Sequence, residues 1–165
     1  MRWLLALLCL TFTAFSHANA TPSLGGSPID KVLVIKSERK LHLVSAGQTL
    51  KSYRISLGKQ PNGAKQREGD MRTPEGFYWI DWRKTSDKYN LSMHISYPNA
   101  RDAANARKKG VSAGGMIMIH GQRNSLGDRR VQPSNWTNGC IAVLNHEMDE
   151  IWNAIEPGTP IIIEP

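Results

Sequence analysis

The residue pattern predicts one domain built mostly of β-strands, with one or two short helices. Three observations carry this reading. Short stretches rich in Val, Ile, Tyr and Trp alternate apolar with polar residues, the period of a half-buried strand. Gly- and Pro-bearing turns separate them. Helix-like composition with end signals occurs in only two stretches, 102–109 and 146–155. The chain has 165 residues, 40% hydrophobic and 21% charged, which suits one domain with its own core. This composition argues against disorder and low complexity, and two cysteines exclude a disulfide scaffold or a four-cysteine zinc site.

The first twenty residues read as a secretory signal. Arg2 is the positive start, Trp3–Phe15 the apolar segment, and Ala18-Asn19-Ala20 the small-residue cleavage site. The apolar segment is short for a bilayer span, which needs about 20 residues. The alternative is an uncleaved anchor. Cys9 follows Leu8, so no lipidation is expected there. Cleavage would remove Arg2 alone among the charged residues, taking the net charge from +7 to +6. It would also leave Cys140 as the lone thiol, and an idle thiol is a liability in an oxidising compartment.

Residues 21–30 are expected to be a flexible lead, and 31–164 the folded domain. Strands are expected at Lys31–Ile35, Lys40–Val44 and Leu50–Leu57 as a meander. The stretch Gly58–Gly76 reads as a turn-rich loop. Further strands are expected at Phe77–Trp82, Leu91–Tyr97 and Met116–Ile119. A short helix at Asp102–Lys109 ends at Gly110. Asn145 is expected to cap a helix over His146–Ile155, and Pro160–Ile163 to form a last strand.

The positive charge is scattered, from Lys36 and Lys65 to Lys109, with no basic helix carrying interleaved aromatics. A solvated cationic surface facing anionic envelope polymers is expected, and no nucleic acid partner. Gly114-Gly115 precedes a strand, so it is no phosphate loop. The stretch His146-Glu147-Met148-Asp149-Glu150 has Glu150 where a zinc helix needs its second histidine, so no metal is expected.

His120 and Cys140 remain. A thiolate attacks carbonyls, and a neighbouring imidazole generates it. His120 ends an apolar strand, a rigid mount. Cys140 follows the polar turn Trp136-Thr137-Asn138-Gly139, where Gly139 allows close approach and turn amides can face an oxyanion. The bland alternative makes Cys140 a small buried apolar residue and His120 a hydrogen-bonded strand end. A catalytic Cys140 predicts alkylation at mildly acidic pH. His42 is expected on the surface. His94 is expected mainly in a structural role, with a substrate contact as the alternative. Trp136 is expected on a pocket wall.

Ile119-His120-Gly121 followed by Thr137-Asn138-Gly139-Cys140-Ile141 resembles the signature of the L,D-transpeptidase catalytic domain. Glu68-Gly69-Asp70-Met71-Arg72-Thr73-Pro74-Glu75-Gly76-Phe77-Tyr78 is similar to its upstream stretch. The resemblance spans roughly Lys31 to Glu164. It implies a mostly β catalytic domain, a β-sandwich or barrel-like pair of sheets with one or two helices. It implies an exported enzyme of the bacterial periplasm or cell envelope, acting on peptidoglycan stem peptides without cofactor or metal. Cys140 would be the nucleophile, His120 the base and acid, and the amides of Gly139 and Cys140 the oxyanion donors. Cys140 would attack the carbonyl at the L-centre of the diacid third stem residue, forming a thioester that an amine or water resolves. The sequence has Asn138 and Ala142 where many such enzymes carry His or Arg and Arg. The run Cys140-Ile141-Ala142-Val143-Leu144-Asn145, with Ser96-Tyr97-Pro98-Asn99 upstream, looks closer to a branch that includes amidases releasing a peptidoglycan-linked lipoprotein. Arg123 is a substitute candidate for binding the substrate carboxylate. The competing class is a non-catalytic envelope-binding module on the same scaffold.

Overall fold

The computed structural model describes residues 23–126 and 135–165. The leader-like segment, Cys9 and residues 127–133 of the Gln122–Pro133 loop lie outside the described residues. Ten strands and two α-helices follow in order. They are β1 (Ser23–Leu24), β2 (Ser27–Pro28), β3 (Lys31–Ile35), β4 (Lys40–Ser45), β5 (Gln48–Arg54), β6 (Gly76–Ser86) and β7 (Asn90–Ile95), then α1 (Ala100–Lys108), β8 (Met118–His120), β9 (Ile141–Ala142), α2 (Asn145–Ala154) and β10 (Thr159–Glu164).

Strands β3 to β10 form one eight-stranded sheet in the order β5-β4-β3-β10-β6-β7-β8-β9. It is antiparallel except for the β10–β3 and β8–β9 pairs. The sheet curls until its ends meet. Just past β5, Ser56 exchanges both backbone hydrogen bonds with Ala142 of β9, each 2.9 Å. The barrel-like form is therefore realised by one sheet. The expected strand over Leu50–Leu57 ends at Arg54 because the chain leaves β4 there to make this closure.

Alternation puts one face of each strand inside. Val32 and Val34 of β3, Leu41 and Leu43 of β4, and Ile161 and Ile163 of β10 are buried. Helix α2 adds Met148, Ile151 and Ala154 to the same core. Burying each such large apolar side chain contributes roughly 1.5–3 kcal/mol.

Several expectations are corrected. Residues 23–28 are a hairpin rather than an unpatterned lead: Gly25 and Gly26 both take positive φ, as a two-residue hairpin turn requires, and Leu24 rests on the core. Helix α1 begins earlier than Asp102, because Asn99 and Asp102 cap each other reciprocally. Asn145 does not cap α2. It lies in the first turn, and its Oδ1 accepts from the Gln122 amide at 2.8 Å, while the Glu147 carboxylate accepts from the Leu144 amide at 2.9 Å.

Two lysines expected on a solvated surface are buried. Lys36 Nζ donates to Glu75 at 2.6 Å and to the carbonyls of Gly63 and Thr73. Lys65 Nζ donates to Asp70 at 2.9 Å and to the Arg67 carbonyl. Together they order the stretch from Gly58 to Glu75. Among the described residues, no helix is long and apolar enough to cross a membrane.

Candidate active site

Strand β8 lies between β7 and β9, with His120 paired to Ser92 on one side and Ala142 on the other. Ile119 and Ile141 are fully buried and face the core. Side chains alternate along a strand, so Met118, His120 and Cys140 point to the opposite face. Two short apolar strands thus bring residues twenty apart in sequence onto one surface.

His120 is itself buried. Its Nδ1 lies 2.6 Å from the Gly121 carbonyl oxygen. A carbonyl only accepts, so Nδ1 carries the proton in the neutral ring and Nε2 holds the lone pair. Burial pushes the imidazole below its ordinary pKa, against the opposing pull of the Gly121 hydrogen bond. The ring packs against Tyr89, 4.6 Å between centroids, and Trp136, 5.7 Å.

The half-buried Cys140 has the opposite shift for the same reason. Burial pushes its thiol up, only partly offset by the Met118 amide and the Lys65 charge. Its Sγ lies 3.7 Å from the Met116 carbonyl. In both groups burial favours the uncharged form. Burial thus opposes the thiolate that alkylation at mildly acidic pH would require.

The turn before Cys140 is tied by Thr137, whose hydroxyl donates to the Cys140 carbonyl at 2.7 Å and accepts from the Gly139 amide at 3.1 Å. The N–H of Gly139, expected among the oxyanion donors, is engaged inside the turn. Gly139 has another task. Its φ is +129°, and a Cβ there would lie 2.7 Å from the Arg72 carbonyl oxygen. A Cβ on Gly58 would collide with the Met71 carbonyl oxygen and come within 3.0 Å of the Gly139 Cα. Three backbone segments meet without intervening side chains behind the cysteine.

His120 and Cys140 line one cavity of about 410 Å³. Of the residues expected around them, Trp136, Asn138 and Arg123 line it too, with the Arg123 guanidinium 5.6 Å from the Trp136 ring centroid. The Trp136 indole N–H is buried and has no acceptor among the described residues. His94 does not line the cavity. It pairs with Asp81 at 2.6 Å and stacks on Trp82 at 4.6 Å. Sequence reasoning missed Lys59, Lys84 and Lys88, which bring the lining cations to four with Arg123, while no carboxylate lines the cavity among the described residues. Nothing local marks these lysines. They converge because the β6–β7 hairpin and the Gly58 segment fold over the same strands.

The L,D-transpeptidase catalytic-domain profile (YkuD) matches residues 30–163. The chain belongs to the L,D-transpeptidase family. It is 32% identical to Escherichia coli strain K12 YafK, named as a candidate L,D-transpeptidase, over 92% of this chain and 61% of that protein. The crystal structure of the helical cell shape determining protein Pgp2 from Campylobacter jejuni superposes with a TM-score of 0.64 at 25% identity, covering 84% of this chain and 48% of Pgp2. An L,D-transpeptidase from Xylanimonas cellulosilytica shares the fold, with a TM-score of 0.55 at 16% identity over 86% of this chain and 63% of that one. The chain thus spans between about half and two-thirds of the length of each of these relatives. Within this L,D-transpeptidase domain, His120 and Cys140 share one cationic cavity.

Proposed function

We propose that the chain is a peptidoglycan-modifying cysteine acyltransferase. One observation carries this: His120, its Nδ1 held by the Gly121 carbonyl, shares a cationic cavity with Cys140. Nε2 takes the thiol proton as Sγ attacks the carbonyl at the L-centre of the third stem residue. The Cys140 amide is the backbone donor assigned to the oxyanion, since the Gly139 amide is engaged by Thr137. The imidazolium then protonates the leaving amine and a thioester remains. An incoming amine attacks it, His120 accepts the amine's proton, and the proton returns to Sγ as the thiol is released. The uncharged forms that burial favours suit this sequence, because the base is then unprotonated before substrate arrives. Such a reaction belongs in the cell envelope, in keeping with the leader-like first twenty residues.

A second reading replaces the amine with water, releasing a terminal residue or an attached lipoprotein. Ala142 favours it. That position is fully buried and bonded to Ser56, and an alanine there offers a substrate carboxylate no cationic partner.

Mass spectrometry of the protein with tetrapeptide muropeptides and with lipoprotein-bearing sacculi separates the readings. Cross-linked or exchanged products that vanish in Cys140→Ala establish transpeptidation. Released lipoprotein or tripeptide without dimers establishes hydrolysis. Sacculus binding without a Cys140-dependent product refutes both and leaves a binding module.

A further inference from the structure

Behind the catalytic turn lies a second cavity, of about 510 Å³. Neighbouring residues line the two: Lys59 faces the Cys140 cavity and Gln60 this one. The Lys59 amide donates to the Thr137 carbonyl at 3.0 Å, and the Gln60 amide to the Met71 carbonyl at 3.1 Å. The partition between the cavities is thus hydrogen-bonded backbone, the same backbone that closes on Gly58 and Gly139.

The second cavity is lined by three cations, Arg67, Arg72 and Lys109, and one acid, Asp70. That acid is already used. Its Oδ1 accepts from Lys65 at 2.9 Å and the Arg72 amide at 3.1 Å, and its Oδ2 from the amides of Gln66 and Arg67. Glu68 turns away, with its backbone on Ser112 and its side chain beside Gly114. Neither guanidinium has an ion-pair partner among the described residues, and the Lys109 ammonium meets only the neutral Gln66 amide oxygen at 2.7 Å. Three basic residues thus line the cavity while its one acid is engaged elsewhere.

We propose that this cavity binds a free carboxylate of the peptidoglycan stem peptide, holding the substrate chain while another part of it lies at Cys140. The substrate identity rests on the acyltransferase reading above. Guanidinium forks match carboxylates in bidentate geometry. They match phosphate equally, so the shared backbone partition with the Cys140 cavity is what favours the peptide over a phosphate-bearing envelope polymer.

The test is calorimetry on the full chain carrying Cys140→Ala, which keeps the peptide intact. The titrants are a stem tetrapeptide, the same peptide with its carboxylates amidated, and a glycerol-phosphate polymer. Arg67→Gln and Arg72→Gln are each expected to weaken tetrapeptide binding about tenfold, the scale of one charge-assisted hydrogen bond. They should leave the amidated peptide unaffected. Arg107→Gln, which removes the same charge from exposed helix surface outside the cavity, should change neither. An unchanged urea midpoint confirms that the variants are folded. Equal losses for free and amidated peptide, or no loss in the Arg67→Gln/Arg72→Gln double variant, overturn the proposal. So does an arginine dependence confined to the phosphate polymer. If muropeptide turnover is absent while tetrapeptide binding stays arginine-dependent, the acyltransferase reading fails and this site stands. If turnover is present with a KM insensitive to both arginines, the site fails and the reading stands.

Discussion

Strands β8 and β9 hold His120 and Cys140 by burying Ile119 and Ile141 beneath them, on a backbone ladder shared with β7. The loop from Gly58 to Glu75 leans on the same site but has almost no regular structure. It is held by Lys36 and Lys65, two buried ammonium groups bonded to carboxylates and carbonyls. The His120–Cys140 pair is thus placed by non-directional apolar burial repeated along a strand, and the wall behind it by a few directional charged bonds. The first tolerates small losses because many contacts share the load. The second concentrates its stability in single groups, so removing one leaves others buried and unpaired.

The largest expected effect follows from this. Lys36→Met should destabilise the fold by about 3–5 kcal/mol in urea unfolding, because Glu75 and two carbonyls lose their partner. Adding Glu75→Leu to Lys36→Met should recover part of that loss, since neither charge is then stranded. No recovery would mean that the loop is held mainly by packing, and the contrast with the strands would fall.

Gly139→Ala probes the junction of the two regions. Its φ of +129° and the Arg72 carbonyl oxygen 2.7 Å from a Cβ put strain on any other residue. A loss of about 1–3 kcal/mol is expected, with a fall in activity larger than the lost folded fraction explains, because the Cys140 turn must move. Unchanged activity per folded molecule would separate the turn from the wall.

The smallest effects concern the pair itself. Cys140 is held above its ordinary value, so its contribution to stability is present below about pH 8.5 and lost as pH rises through the folded value. His120 is held below its own, so its contribution is present above about pH 6.5 and lost as pH falls through the folded value. Stability should peak between these limits, and Cys140→Ala should flatten the alkaline limb alone. Alkylation of Cys140 by iodoacetamide should titrate above pH 8.5. A midpoint below 7 would show a thiolate–imidazolium pair at rest and would remove burial as the governing influence on this pair.

Strand alternation, the existence of both helices, the His120 mount and the glycine turn before Cys140 were legible in the sequence, because each is a local pattern whose period or spacing carries its own meaning. The L,D-transpeptidase motifs were legible for the same reason: they are short and contiguous. Tertiary structure alone decided the rest. Ser56 closing on Ala142, Lys36 finding Glu75, Lys59, Lys84 and Lys88 meeting around one cavity, and Arg67 and Arg72 losing Asp70 to Lys65 and the loop amides all depend on partners chosen after folding. Hydrophobic period says which face of a strand is buried, but not which distant strand lies beside it. A lysine in sequence carries its charge without saying whether that charge will meet water, a carboxylate or a substrate.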